Sequence, residues 1–105
     1  MEYVKFCKLI DLENREYITK SIFGKKIAVI RDKDSGFYAI EVACKHQGAD
    51  LTKGKKEGEI YTCQRHGWKY NIRSGECINQ KSPKLRKFII KIEGGYIKIS
   101  LEPIE

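Results

Sequence analysis

Apolar and polar residues alternate with a period near two along much of this chain, and no stretch sustains the 3.6-residue period of an amphipathic helix. Tyr3-Val4-Lys5-Phe6-Cys7-Lys8-Leu9 mixes apolar and polar positions as a half-buried strand does. Lys26-Ile27-Ala28-Val29-Ile30-Arg31 is rich in β-branched residues. Asp32-Lys33-Asp34-Ser35-Gly36 then supplies turn chemistry before a further strand, Phe37-Tyr38-Ala39-Ile40-Glu41-Val42. The last hairpin is the best determined. Gly94-Gly95 suits a two-residue turn, whose positive φ favours glycine. That turn sets Ile92 opposite Ile97, Ile90 opposite Ile99 and Phe88 opposite Leu101 on one face, with Lys91, Lys98 and Ser100 on the other. Between these regions, Gly58-Glu59-Ile60-Tyr61-Thr62 reads as a strand, and Gly67 to Glu76 as a hairpin turned at Arg73-Ser74-Gly75. The expectation is an all-β, antiparallel fold: strands up to residue 42, loops and short strands over 43–80, and strands again from 87.

The length of 105 residues predicts one domain, 1–105, around a single core. Met1-Glu2-Tyr3-Val4-Lys5 lacks the apolar run of a signal peptide, and no apolar stretch approaches the ~18 residues of a membrane span. A soluble, cytoplasmic protein is expected. The net charge of +7 raises nucleic-acid binding, but Lys and Arg are scattered and no DNA- or RNA-binding motif accompanies them. A basic surface that meets an acidic protein partner is the expectation instead.

Half of the cysteines and both histidines fall in two short motifs, Cys44-Lys45-His46 and Cys63-Gln64-Arg65-His66. Two thiolates and two imidazoles make a four-ligand metal site. Zinc accepts Cys₂His₂, but zinc fingers usually pair like with like, C-x₂₋₄-C then H-x₃₋₅-H. Here each pair is mixed. That arrangement suits a two-iron cluster in which each loop gives one ligand to each iron, so that one iron takes both thiolates and the other both imidazoles. The two remaining cysteines, Cys7 and Cys77, are open to two readings: a redox pair, or two small buried side chains on strands.

Beyond the ligands, Cys44-Lys45-His46-Gln47-Gly48-Ala49-Asp50-Leu51 and Cys63-Gln64-Arg65-His66-Gly67-Trp68-Lys69-Tyr70 resemble the two cluster loops of the Rieske proteins. The resemblance covers essentially the whole chain. It implies an antiparallel β-sandwich base with a small inserted cluster-binding subdomain, about 43–80. It also implies one [2Fe–2S] cluster per chain, held by Cys44, His46, Cys63 and His66. Gly48 and Gly67 would let backbone N–H groups approach the inorganic sulfides, Trp68 would match the His-Gly-Trp of soluble Rieske-type ferredoxins, and Tyr70 would stand where a hydroxyl can donate to a ligand sulfur. Family members of respiratory complexes carry a disulfide between the loops; the matching positions here are Ala49 and Arg65, which cannot form one. Of the family's proline-rich third loop only Pro83 is present in Gln80-Lys81-Ser82-Pro83-Lys84-Leu85, which predicts a looser cover.

Rieske centres also occur in oxygenases that add a mononuclear iron on two histidines and a carboxylate. Both histidines of this chain are needed by the cluster, so no catalytic residue is expected. The resemblance therefore implies a one-electron carrier between a reductase and a terminal oxygenase, with partners that present acidic docking surfaces, and neither nucleic acid nor membrane. Two alternatives stand beside it: a small Rieske subunit of an assimilatory nitrite reductase, and a zinc-stabilised interaction module.

Overall fold

The computed structural model describes residues 2–32, 36–46 and 48–104, where ten strands form three antiparallel sheets. The first sheet has the order β1 (Tyr3–Lys8), β10 (Tyr96–Ser100), β9 (Ile90–Glu93). The second has the order β2 (Tyr17–Ile22), β3 (Lys25–Asp32), β4 (Gly36–Glu41), β8 (Lys87–Phe88). The third, β5 (Lys55–Glu57), β6 (Ile60–Thr62), β7 (Lys69–Asn71), lies wholly within the segment expected to carry the site. Lys33, Asp34 and Ser35 of the expected turn, and Gln47 of the first motif, lie outside the described residues.

The second sheet is the middle layer. In β3 four consecutive residues, Ile27, Ala28, Val29 and Ile30, are buried, which alternation permits only when both faces are covered. Ile27 and Val29 join Phe6, Leu12, Phe88, Ile97 and Ile99 in a core against the first sheet. Ala28 and Ile30 join Ile40, Val42, Leu51, Tyr61, Tyr70 and Ile72 in a second core beneath the third sheet, and that core includes Cys44 and Cys63. The base is thus a sandwich, and the inserted segment packs on its outer face.

The final hairpin keeps the expected register between its strands: Ile97 faces Ile92, Ile99 faces Ile90, and both turn glycines have positive φ. Its far end departs from expectation. Phe88 pairs with Ala39 in the second sheet rather than with Leu101, because the chain changes sheets at Ile89. Ser100, expected on the outer face, is buried there: its hydroxyl accepts from the Ile89 N–H at 3.0 Å and donates to the Glu102 carbonyl at 2.8 Å. Ile92, expected inside, is half exposed. A bulge at Phe6 in β1 brings Phe6 and Cys7, neighbours in sequence, both into the core. Gly58 belongs to the turn before β6 rather than to the strand, with φ of 61°. The turn at Arg73–Gly75 is present: the Asn71 side chain accepts from the N–H groups of Arg73 and Ser74, and Gly75 closes it at φ 85°.

Candidate metal centre

The two motif loops are built alike. In the first, Cys44 N–H donates to the Ala49 carbonyl at 2.9 Å and Gly48 N–H returns to the Cys44 carbonyl at 2.7 Å. In the second, Cys63 N–H donates to the Trp68 carbonyl at 2.7 Å and Gly67 N–H returns to the Cys63 carbonyl at 3.0 Å. Each loop therefore closes on its own cysteine, five residues across, and each needs a left-handed residue in fourth place. Gly48 and Gly67 supply it, both at φ 72°. A Cβ at either would meet nothing, so conformation rather than crowding requires glycine there. Their own N–H groups are committed to the cysteine carbonyls, which makes these glycines loop closers.

This construction sends the cysteines inward and the histidines outward. Cys44 and Cys63 are each 2% exposed, and their sulfurs lie within hydrogen-bond reach of one another. Burial pushes the Cys44 thiol up. For Cys63 burial acts the same way, but the N–H groups of Arg65 and His66, the Cys44 thiol and the Arg65 charge together outweigh it and hold the thiol low. His46 and His66 are exposed, their ring centroids 4.4 Å apart and their planes at 79°. Trp68, half buried against the second core, stacks on His46 at 4.8 Å and 19° and fixes that ring.

The donors thus come as a buried thiol pair and an exposed imidazole pair. Among the described residues, no group of three or more His, Cys, Asp or Glu side chains is placed to hold a single metal ion. A tetrahedral zinc site needs such convergence. Two pairs are what a two-iron cluster asks for: Cys44 and Cys63 would hold it from the buried side and His46 and His66 from the exposed side. The residues present fit that group.

Several residues that hold the site carry no motif signal in the sequence. Gly54 follows the first loop with an extended backbone, and a Cβ there would run into the Thr62 carbonyl, one residue before Cys63. Its size therefore sets how closely the loops approach. Asn79 accepts from the Lys69 N–H at 2.9 Å and donates to the Gly67 carbonyl at 3.0 Å, pinning the second loop from outside. Tyr17 donates to the Thr52 carbonyl at 3.4 Å, tying the end of the first loop to the middle sheet. The Tyr70 hydroxyl lies between three groups. It accepts from the Lys45 N–H at 3.2 Å, stands 4.0 Å from Cys44 Sγ, and is 3.2 Å from Ser82 Oγ. The segment bearing Pro83 is therefore held to the site by Ser82 and Asn79 despite its single proline.

Neither spare cysteine belongs to this site as a donor. Cys7 is buried in the core on the far side of the middle sheet, where burial pushes its thiol up. Cys77 is half buried beside the second core, bridged to Tyr70 outside any strand.

The model of the Rieske [2Fe–2S] domain matches residues 2–91. This chain belongs to the Rieske family. A curated relative, the ferredoxin component of the alkene monooxygenase system of Xanthobacter autotrophicus (strain ATCC BAA-1158 / Py2), is 29% identical over 105 residues, covering 99% of this chain and 85% of that protein. Among solved structures, a chain of the complex of reduced oxygenase and oxidized ferredoxin in carbazole 1,9a-dioxygenase superposes with a TM-score of 0.77 at 26% identity, over 98% of this chain and 96% of its own. A protein assigned as the small subunit of an NADPH nitrite reductase shares the fold, with a TM-score of 0.68 at 22% identity over 95% of this chain and 99% of its own. The all-β Rieske architecture and the [2Fe–2S] cofactor of the family agree with the reading of the sequence. Among the described residues, no helix is long and apolar enough to cross a membrane.

Proposed function

We propose that this Rieske protein is a one-electron carrier, receiving an electron from a reductase and delivering it to a terminal oxygenase, with Cys44, His46, Cys63 and His66 holding the cluster. The observation that carries the proposal is the inward–outward split of the donors. A [2Fe–2S] centre, when bound, accepts and returns one electron. The chain supplies the rest: the buried thiol side excludes water, and the exposed imidazoles bring the outer edge of the site to the surface, where a partner can come close. Both histidines are used in this role, so the chain has none with which to build a second, catalytic iron. Relatives that are ferredoxin components, and the ferredoxin–oxygenase complex among the similar structures, support an oxygenase as acceptor. A cytoplasmic location agrees with this role.

Docking is expected at the histidine tip, with an acidic partner. Arg65 and Lys69 are exposed in the second motif and Lys53 just beyond the first. Lys45, the remaining cation of the loops, is spent internally: its Nζ binds Glu41 Oε1 at 2.5 Å, and Glu41 also accepts the Arg86 N–H. The test is stopped-flow mixing of the dithionite-reduced protein with an oxidised Rieske oxygenase, followed in the visible range. Transfer of one electron equivalent per chain is expected; failure to reduce any oxygenase of this kind, together with co-purification with a nitrite reductase large subunit, would favour the subunit reading that the shared fold also allows.

A further inference from the structure

We propose that Ser82 is a positioning residue for the reduction potential: it takes the single hydrogen of the Tyr70 hydroxyl, which would otherwise point at the sulfur of Cys44. The inference rests on the reading that Cys44 ligates the cluster.

The argument is an account of hydrogens. A phenol has one hydrogen to give and lone pairs to receive with. The Lys45 N–H points at the Tyr70 oxygen from 3.2 Å, so that contact uses a lone pair. Two acceptors compete for the hydrogen. A ligating cysteine is a thiolate and can only accept; its sulfur is 4.0 Å away, at the outer limit for a sulfur acceptor, so it is the weaker competitor. Ser82 Oγ is 3.2 Å away and directs its own hydrogen at the Pro83 carbonyl, 3.1 Å off, which leaves the serine oxygen free to accept from Tyr70. The hydrogen belongs to Ser82.

The consequence concerns charge. The first-motif thiolate and the site as a whole become more negative on reduction, so a donor at the sulfur stabilises the reduced state and raises the potential. Tyr70 is completely buried and pressed against that sulfur, yet its hydrogen is turned aside. With Ser82 in place, the tyrosine contributes packing but no donor. Without Ser82, the oxygen acceptor is lost, and rotation of the phenolic hydrogen toward Cys44 becomes the remaining way to satisfy a buried hydroxyl, since leaving it unpaired is costly. The third loop, through one serine, thereby sets a potential from outside the ligand motifs.

The test is a four-protein cycle on the cluster-loaded chain: wild type, Ser82→Ala, Tyr70→Phe and the double variant, with midpoint potentials read by spectroelectrochemistry. Ser82→Ala is expected to raise the potential, shifting the reduction equilibrium about fivefold toward the reduced form, the effect of one hydrogen bond of ordinary net strength. Tyr70→Phe alone should leave the potential where it is, and Tyr70→Phe added to Ser82→Ala should cancel the rise. A rise that survives removal of the hydroxyl would mean that Ser82→Ala merely opens the loop, and a potential lowered by Tyr70→Phe alone would mean that the hydrogen already reaches the sulfur; either overturns the proposal, as does an unchanged Ser82→Ala. Ser82→Thr, which keeps the acceptor, should match wild type. Absence of a cluster spectrum in the wild-type protein would instead refute the ligand assignment on which the cycle depends.

Discussion

The two cores on either side of the middle sheet are similar in size and opposite in character. The one between the first and second sheets is apolar throughout, apart from the lone thiol of Cys7, and nothing in it is tied to the site. The one beneath the third sheet contains both site thiols and two tyrosines, and its walls are held by loop hydrogen bonds rather than by long strands. The first core stabilises the chain by burial of surface, which any side chain of suitable volume can supply. The second must also place particular atoms. Its tolerance to substitution should therefore be set by geometry, and the two cores should fail in different ways.

The largest expected difference is in the fate of buried cysteines. Cys44→Ser and Cys63→Ser should both abolish the cluster, dropping iron and acid-labile sulfide from about two each per chain to traces. Cys7→Ser, equally buried but in the other core, should keep both and lose only some stability by burying a hydroxyl in an apolar site. Cluster loss in Cys7→Ser would erase the distinction between the cores.

Next come truncations of aliphatic residues. Ile97→Ala should cost about 2–5 kcal/mol in urea unfolding, with the visible spectrum of the folded protein unchanged. Leu51→Ala, fully buried beside the first loop, should cost a similar amount and in addition release iron faster on dilution with a chelator. Equal iron-release rates in the two variants would show that the cores are not independent.

Smaller effects should separate two kinds of glycine at the loops. Gly54→Ala meets the Thr62 carbonyl, and the overpacking should cost about 1–3 kcal/mol and hasten iron release by moving the loops apart. Gly48→Ala places its Cβ in open space and bears only the left-handed strain, about 1–2 kcal/mol. A larger cost at Gly48 than at Gly54 would mean that the loop must keep its backbone more strictly than its spacing.

How far the sequence foretells each region follows from the same contrast. Mixed or β-branched composition bounded by turn residues predicts β1, β3 and β4, and alternation predicts the last hairpin because burial on one face enforces a period of two. It does not mark β2, where Lys20 falls on the core side with Ile18 and Ile22. Its Nζ lies 5.6 Å from the Phe6 ring centroid and donates to the Phe6 carbonyl, so an exposed charged residue covers the edge of that core. It also misplaces Phe88 and Ser100, since a change of sheet at Ile89 leaves the pattern of side chains intact while altering the partner. In the site, ligand spacing and the fourth-place glycines are visible because chemistry and φ restrict residue type. Gly54, Asn79 and Ser82 are invisible because their roles depend on what the fold brings beside them: a carbonyl, a loop and a tyrosine hydroxyl.

The smallest expected effect lies at the surface. Arg65→Glu should slow reduction by the reductase several-fold at low salt, with the difference shrinking as screening falls to ~8 Å at physiological ionic strength. Lys5→Glu, on the far sheet, should leave that rate nearly unchanged. Lys45→Glu is a different experiment, since it also breaks the pair with Glu41.

The central claim is that the paired thiols and paired imidazoles hold one [2Fe–2S] cluster. It is tested most directly by the visible spectrum of the purified protein before and after dithionite, with iron, zinc and acid-labile sulfide measured on the same sample. The account predicts a reddish-brown protein that bleaches on reduction, with about two irons and two sulfides per chain. A colourless protein carrying one zinc and no sulfide would contradict it.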